Sequence, residues 1–191
     1  DGGYVIGGYS LSKNIDVGNN ITLANKGLTN GMVVKYNQDG TAQWAKVVNG
    51  TGSNNIKTVS ATKDGGCVAG GSFSSNSIDL GNGTTLNNNG ETNAVLIKFN
   101  SNGEIEFAKG IGGTANDYIA SVSGTSDGGY IIGGWITSSS TELDTGITLS
   151  NNGSSNGIIA KYNQEGKVEW AKIIGDEKSE SIESVIETTS G

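Results

Sequence analysis

The chain has 191 residues, of which 32 are glycine and none is proline, and its formal net charge is −7. Its charged fraction of 16% lies below the value of about a quarter that is typical of globular proteins. Nucleic acids and anionic membrane surfaces both bind proteins through lysine and arginine, and this chain has no basic run, so we expect neither partner. We also expect no membrane insertion, since no apolar stretch approaches the ~20 residues of a spanning helix.

Three tandem copies of one repeat make up almost the whole chain. An Asp-Gly-Gly motif begins at Asp1 and returns 63 residues later at Asp64, and again at Asp127. Lys-aromatic-Asn and aromatic-Ala-Lys motifs return at the same interval. Glycine and asparagine are the usual residues of tight turns, so their abundance predicts many short strands. The sequence therefore divides into repeats 1–63, 64–126 and 127–189.

Each repeat predicts four main β-strands, which in the second copy cover residues 67–73, 94–100, 104–110 and 118–125. Asp-Gly between two alternating runs is typical of a β-hairpin, and an Asn-x-x-Gly turn joins the second strand to the third. The second strand is apolar on both faces, which predicts burial between stacked sheets. A polar stretch of about twenty residues after the first strand keeps its register in all copies, which predicts an ordered insertion with an extra short strand pair.

Several positions shared by the three copies indicate packing. The glycine pair of the first strand, Gly7-Gly8 in the first copy, predicts a close backbone approach or a bulge. It does not form a phosphate loop, because no helix follows it. The aromatic residue of the third strand predicts core packing at Trp44, Phe107 and Trp170.

These motifs carry a family resemblance. The succession Asp-Gly-Gly-Tyr-Ile-Ile-Gly-Gly, Ile-Asp-Leu-Gly and Leu-Ile-Lys-Phe-Asn-x-x-Gly resembles the bacterial β-propeller repeats called SBBP repeats, over the whole chain. The resemblance implies an all-β fold of tandem four-stranded antiparallel blades in a secreted or cell-surface protein, and it transfers no catalytic residues. Since propellers close with roughly 4–8 blades, three repeats predict a partial propeller or one that other copies complete.

The two ends of the repeat array are predicted to leave strand edges unpaired. Ser190 and Gly191 occupy the first two positions of a further repeat, so the chain starts and stops at the same phase. We therefore expect a piece of a longer array or a unit that joins other copies. Unpaired edges recruit other strands, and we predict inter-chain pairing at both. The edge residues are Tyr4, Val5, Ile6, Ile182, Val185 and Ile186.

The sequence argues against an enzyme. It contains no histidine and one cysteine, Cys67, which excludes Ser-His-Asp, Cys-His and His-Cys zinc sites. Equivalent acids fall on different repeats, which disfavours a glycosidase pair. We expect no cofactor, with calcium on scattered Asp and Asn oxygens as the open alternative. The shared lysines Lys35, Lys98 and Lys161 are read as solvated strand ends with buried stems, with a Lys–Asn isopeptide bond as the alternative.

Two functions from different classes remain. The first is an extracellular structural or adhesive module that assembles, or binds other proteins, through its strand edges. The second is a glycan- or ligand-binding propeller that uses the Asn/Thr-rich insertions. Tyr9 and Trp135 are the candidate ligand-binding residues, because they differ between copies and lie where the first strand enters the insertion.

Overall fold

A computed structural model of the chain describes residues 2–188; Asp1 and residues 189–191, which include the predicted start of a further repeat, lie outside the described residues. Residues 2–188 fold into β-strands joined by turns, and none of them lies in a helix that could cross a membrane. The strands, in chain order, are β1 (Tyr4–Ser10), β2 (Asn14–Asp16), β3 (Thr22–Ala24), β4 (Asn30–Tyr36), β5 (Ala42–Val48), β6 (Asn54–Ala61), β7 (Cys67–Phe73), β8 (Ser77–Gly81), β9 (Thr84–Asn87), β10 (Asn93–Phe99), β11 (Ile105–Ile111), β12 (Asp117–Gly124), β13 (Tyr130–Ile136), β14 (Ser140–Asp144), β15 (Ile147–Ser150), β16 (Asn156–Tyr162) and β17 (Val168–Ile174).

Three main sheets follow one another along the chain, and every strand pair in them is antiparallel. The first has the order β1-β4-β5, the second β6-β7-β10-β11 and the third β12-β13-β16-β17. Each insertion forms a separate hairpin, β2-β3, β8-β9 or β14-β15, which confirms the predicted extra strand pair. The expectation of an all-β fold of repeated antiparallel sheets is confirmed. Four strands per sheet holds for the second and third sheets, while the first has three within the described residues.

The sheets begin about one strand earlier than the sequence repeats. β6 precedes the Asp-Gly-Gly motif at Asp64, yet it pairs with β7 beyond that motif. The turn between them is closed by hydrogen bonds from Gly65 N to Thr62 O and from Thr62 N to Gly66 O, and Gly65 has the left-handed φ of +80°. We call β6 and β12 the leading strands, because each is the first strand of a four-stranded sheet.

The hydrophobic core lies between successive sheets. One cluster joins the first sheet to the second, and another joins the second to the third. β10 is buried along its whole length, including Val95, Leu96 and Ile97, which confirms the prediction of a strand covered on both faces. The sheets come close at the glycine pairs, since a Cβ built on Gly70 would lie 2.6 Å from Ile119 Cγ2 of the next leading strand.

The reading of the shared lysines as solvated strand ends is wrong for Lys98, whose side chain is 0% exposed. Its ammonium group lies 2.7 Å from Asp64 Oδ2 and 3.1 Å from Glu106 Oε2. Lys161 is bound in the same way by Asp127 and Glu169, and is also buried. These carboxylates compensate the charge that would otherwise make burial of a lysine unfavourable.

We predict that Leu96→Ala lowers the free energy of unfolding by roughly 2–5 kcal/mol, because Leu96 is fully buried and the change leaves a cavity. Leu11→Ala is the control: Leu11 is exposed, and its truncation should change stability by less than about 0.5 kcal/mol. Urea unfolding followed by circular dichroism measures both. Equal losses in the two variants would contradict the assignment of β10 to the core.

Candidate functional site

The outer edge of β1 is open. β1 pairs with β4 on one side, and among residues 2–188 no strand pairs with its other side. Tyr4, Ile6 and Tyr9 are exposed along it, and Val5 is half-buried. The equivalent strands β7 and β13 carry a leading strand at this edge, and they are almost entirely buried. Within residues 2–188, the outer side of β1 therefore has backbone N–H and C=O groups with no ladder partner.

The glycine pair of β1 shows what kind of neighbour fits that edge. A Cβ on Gly71 would lie 1.9 Å from the carbonyl oxygen of Asn55 in β6, and one on Gly134 would lie 2.0 Å from that of Tyr118 in β12. Gly8 occupies the same repeat position, but the nearest atom to its Cβ would be Met32 Cε, at 3.8 Å. The sequence therefore keeps at Gly8 the space that a leading strand occupies in the other two sheets.

Residues 180–188, the terminal segment, follow the path of a leading strand on the third sheet. Glu180 N donates to Ser155 O at 2.8 Å, just as Asn54 N donates to Thr29 O at 2.8 Å where β6 begins. Further along, Val185 N donates to Ser121 Oγ at 3.1 Å. The repeat-equivalent bond between the two leading strands, from Val122 N to Thr58 Oγ1, has the same length.

The terminal segment is held at both ends of its path across the third sheet. Ile182 N donates to Gly134 O at 3.1 Å, and a Cβ on Gly133 would lie 2.7 Å from Ile182 Cγ2. Near its end, Glu187 accepts hydrogen bonds from the backbone N and the hydroxyl of Ser126. The segment therefore has the position of a leading strand, one repeat after β12.

The repeat pattern also predicts a last strand over residues 182–188, and this prediction is wrong within the described residues 2–188. No ladder partner lies beside them within residues 2–188, so they lack the pairing that defines a strand. Ile182 and Val185 are half-buried against the third sheet, whereas Ile186 is exposed. The predicted edge residues thus belong to two separate surfaces, one on the first sheet and one on the third, and no hydrogen bond found among residues 2–188 joins these surfaces.

The predicted ligand-binding residues also lie on separate sheets. Tyr9 is exposed on the edge of β1. Trp135 on β13 is half-buried and stacks on Tyr118 of β12, with ring centroids 5.0 Å apart. Sequence reasoning missed Tyr118, although the hairpin register around the third Asp-Gly-Gly motif places it opposite Trp135.

The Asp-Gly-Gly turns are charged sites as well as turns. Partial burial of Asp64 raises its pKa, but hydrogen bonds from Lys98, Thr62 and Gly66 N outweigh this effect and lower the pKa to about 2. Hydrogen bonds from Lys161 and Thr125 likewise lower the pKa of Asp127. Both carboxylates are therefore ionised at neutral pH and accept hydrogen bonds from a lysine, which is the arrangement of a structural ion pair.

Two other candidates were a reactive thiol at Cys67 and a metal-binding cluster of acidic side chains. Cys67 is buried, and burial raises the pKa of its thiol to about 12, which keeps it protonated and unreactive at neutral pH. It packs as a small hydrophobic residue in β7. Within residues 2–188 no group of three or more Asp, Glu, His or Cys side chains converges into a metal-binding cluster.

Comparisons with known proteins assign no family to the chain. A scan against protein-family models gave no match, and a search of curated proteins gave none either. The resemblance to SBBP repeats therefore stays a prediction.

We predict that acid weakens the fold through Asp64. Its pKa in the folded chain lies below the ordinary 3.8, so its contribution to stability is complete above about pH 4 and is lost as the pH falls towards 2. Asp64→Asn should lower the free energy of unfolding at neutral pH by about 1 kcal/mol, a value reduced for solvent screening because the carboxylate is 35% exposed. The variant should also flatten the decline between pH 4 and 2. Glu177→Gln, at an exposed position, is the control, and an unchanged pH profile for Asp64→Asn would contradict the prediction.

Proposed function

We propose that this chain is a structural assembly module that joins to a second copy by strand addition. The three main sheets act as consecutive blades of a propeller-type array. The terminal segment of one copy pairs with β1 of the next and becomes the leading strand of its first sheet. This completes the four-stranded plan of the second and third sheets.

The observation that carries the proposal is the empty space beside Gly8. Its counterparts Gly71 and Gly134 are each covered by the carbonyl group of a leading strand at about 2 Å from where a Cβ would be, so only glycine fits there. Gly8 has no such neighbour within residues 2–188, and its φ lies outside the left-handed region that favours glycine. A strand supplied by another copy explains why this position is glycine in all three repeats.

The register of the proposed pairing follows from the second sheet. There Ile56 lies opposite Gly71, Val59 opposite Ala69 and Ser60 opposite Val68. The equivalent pairs between copies put Ile182 opposite Gly8, Val185 opposite Ile6 and Ile186 opposite Val5. The carbonyl of Ser181 then covers Gly8.

Two physical terms favour this pairing. The free edge of β1 carries unpaired N–H and C=O groups that a new strand satisfies. The apolar side chains of Ile6 and Ile186 are exposed in the single chain. In the paired one Ile6 meets Val185 and Ile186 meets Val5, which removes apolar surface from water. The hydrogen bonds and the apolar contacts both form along β1, so the interactions that stabilise the pairing also fix its register.

The proposal also states where the module acts and whether it catalyses a reaction. The module works without catalysis or a cofactor, and it acts on the outside of the cell, secreted or displayed at the surface. The resemblance to secreted bacterial repeats supports the location. The absence of histidine and the structural pairing of Asp64 and Asp127 support a role in binding.

We predict that Gly8→Ala weakens self-association at least tenfold, because its methyl group occupies the space of the incoming carbonyl. Stability of the single chain should be unchanged or slightly higher, as alanine costs less entropy than glycine in a strand. Gly110→Ala is the matched control, since its Cβ would lie at ordinary contact distances and outside the edge. Analytical ultracentrifugation over a concentration series measures all three proteins. The proposal fails if the unmodified chain stays monomeric throughout, or if Gly8→Ala assembles as well as Gly110→Ala.

A second candidate function is glycan binding by the stacked pair Trp135 and Tyr118. A half-exposed aromatic platform beside a polar loop is the surface that sugar rings stack on, and the 5.0 Å stack fixes its orientation. Here Trp135→Ala should abolish binding on a glycan array, whereas Tyr9→Ala, on another sheet, should leave it intact. An array on which the unmodified chain binds nothing would remove this candidate.

A further inference from the structure

A second contact recurs at both junctions between sheets, at their outer strands. Trp44 on β5 lies over the turn between β10 and β11, where a Cβ on Gly103 would lie 2.6 Å from the indole. The indole Nε1 donates to the carbonyl of Ser101 in the same turn at 3.0 Å. At the next junction Phe107 lies over Gly166, and a Cβ built on Gly166 would lie 2.8 Å from the ring. An aromatic side chain on a glycine turn is therefore a standard part of each junction.

The aromatic side chain and the glycine turn that form this contact also each occur once without the other. Trp170 occupies the same repeat position as Trp44, yet it is 43% exposed where Trp44 is 8% exposed. Gly40 occupies the position of Gly103 and Gly166 in its own turn, but it is exposed, and no atom of residues 2–188 lies within 4 Å of where its Cβ would be. The free aromatic is on the third sheet and the free turn is on the first.

We propose that Trp170 of one copy docks on the turn at residues 37–40 of the next copy, with its Nε1 donating to the carbonyl of Gln38. This inference rests on the assembly proposed above and specifies its partner, a second copy of this chain bound head to tail. The terminal segment and Trp170 are the repeat equivalents of β6 and Trp44, and both of these reach the second sheet, β6 by pairing with β7 and Trp44 by contacting the Gly103 turn. If the next copy is placed as a further repeat would be, the strand addition at β1 and the Trp170 contact therefore form together.

The chemistry of the two halves fits. Gly40 has φ of +82°, close to the +77° of Gly103 and the +75° of Gly166, so the free turn already has the shape that accepts the ring. Tryptophan at position 170 also restores the hydrogen bond that Trp44 makes and that Phe107, with no N–H, cannot make. The contact joins different surfaces of the two copies, so it is heterologous and leaves each end free for a further copy until a ring closes.

Cross-linking between two variants, each with one added cysteine, tests whether positions 38 and 170 come together between copies. Gln38→Cys and Trp170→Cys are prepared separately, mixed, and treated with a short bismaleimide. Cys67 gives little background because it is buried and its thiol pKa is about 12. We expect a cross-linked dimer in the mixture, at least severalfold above the level in either variant alone. A dimer formed equally well by Trp170→Cys alone would mean a tail-to-tail contact and would overturn the proposal.

A substitution series measures the same contact by affinity. Trp170→Ala should raise the dissociation constant for self-association on the order of tenfold, since the indole surface that assembly buries is lost. Trp170→Phe should lose less, because Phe107 shows that a phenyl ring fits a glycine turn. Leu28→Ala, an exposed residue at the junction of the first and second sheets, is the control and should change nothing.

The outcomes separate this contact from the proposed function. If the chain assembles and Gly8→Ala weakens it, but the mixture does not cross-link and Trp170→Ala binds normally, strand addition stands and the Trp170 contact is wrong. If the unmodified chain stays monomeric at every concentration, both are wrong.

Discussion

The close approach of an isoleucine to a glycine in the preceding sheet sets the spacing of the whole molecule. A Cβ on Gly7 would lie 2.7 Å from Ile56, and equivalent contacts join Ile119 to Gly70 and Ile182 to Gly133. Any larger residue in place of the glycine would force the sheets apart. Each leading strand thus belongs to one sheet by hydrogen bonds and to the preceding sheet by packing, so the stability of neighbouring sheets is coupled.

The charged turns add a second constraint that acts within each sheet. Asp64 accepts a hydrogen bond from Gly66 N at 2.9 Å, which shapes the hairpin, and it also binds Lys98 at 2.7 Å. The aspartate of the Asp-Gly-Gly motif and the lysine of the second strand are distant in sequence, but they form one site. Because the lysine is desolvated, it depends on its carboxylates, and the hairpin is tied to the strand that lies beyond β7.

Local signals predicted most of the fold, and contacts between distant segments account for what they missed. The strands, the Asp-Gly hairpins and the extra hairpins follow from alternation and turn residues. The burial of Lys98 does not follow from the apolar residues beside it, because a lysine is buried favourably only where carboxylates pair with it, and Asp64 and Glu106 lie outside its own strand. Trp44 and Trp170 share the local sequence Trp-Ala-Lys and differ in exposure, because burial depends on the sheet that follows each one.

Contacts between neighbouring sheets, rather than the strand edge alone, also give the proposed assembly its selectivity. An open strand edge alone would accept many strands, which makes exposed edges prone to nonspecific aggregation. Beside β1, however, Gly8 leaves room for a backbone that passes very close, as β6 and β12 pass Gly71 and Gly134. A strand in a shifted register would put a side chain, rather than its carbonyl, over that glycine. In the proposed assembly, the junction between two copies therefore repeats the contacts of the junctions between sheets within one chain.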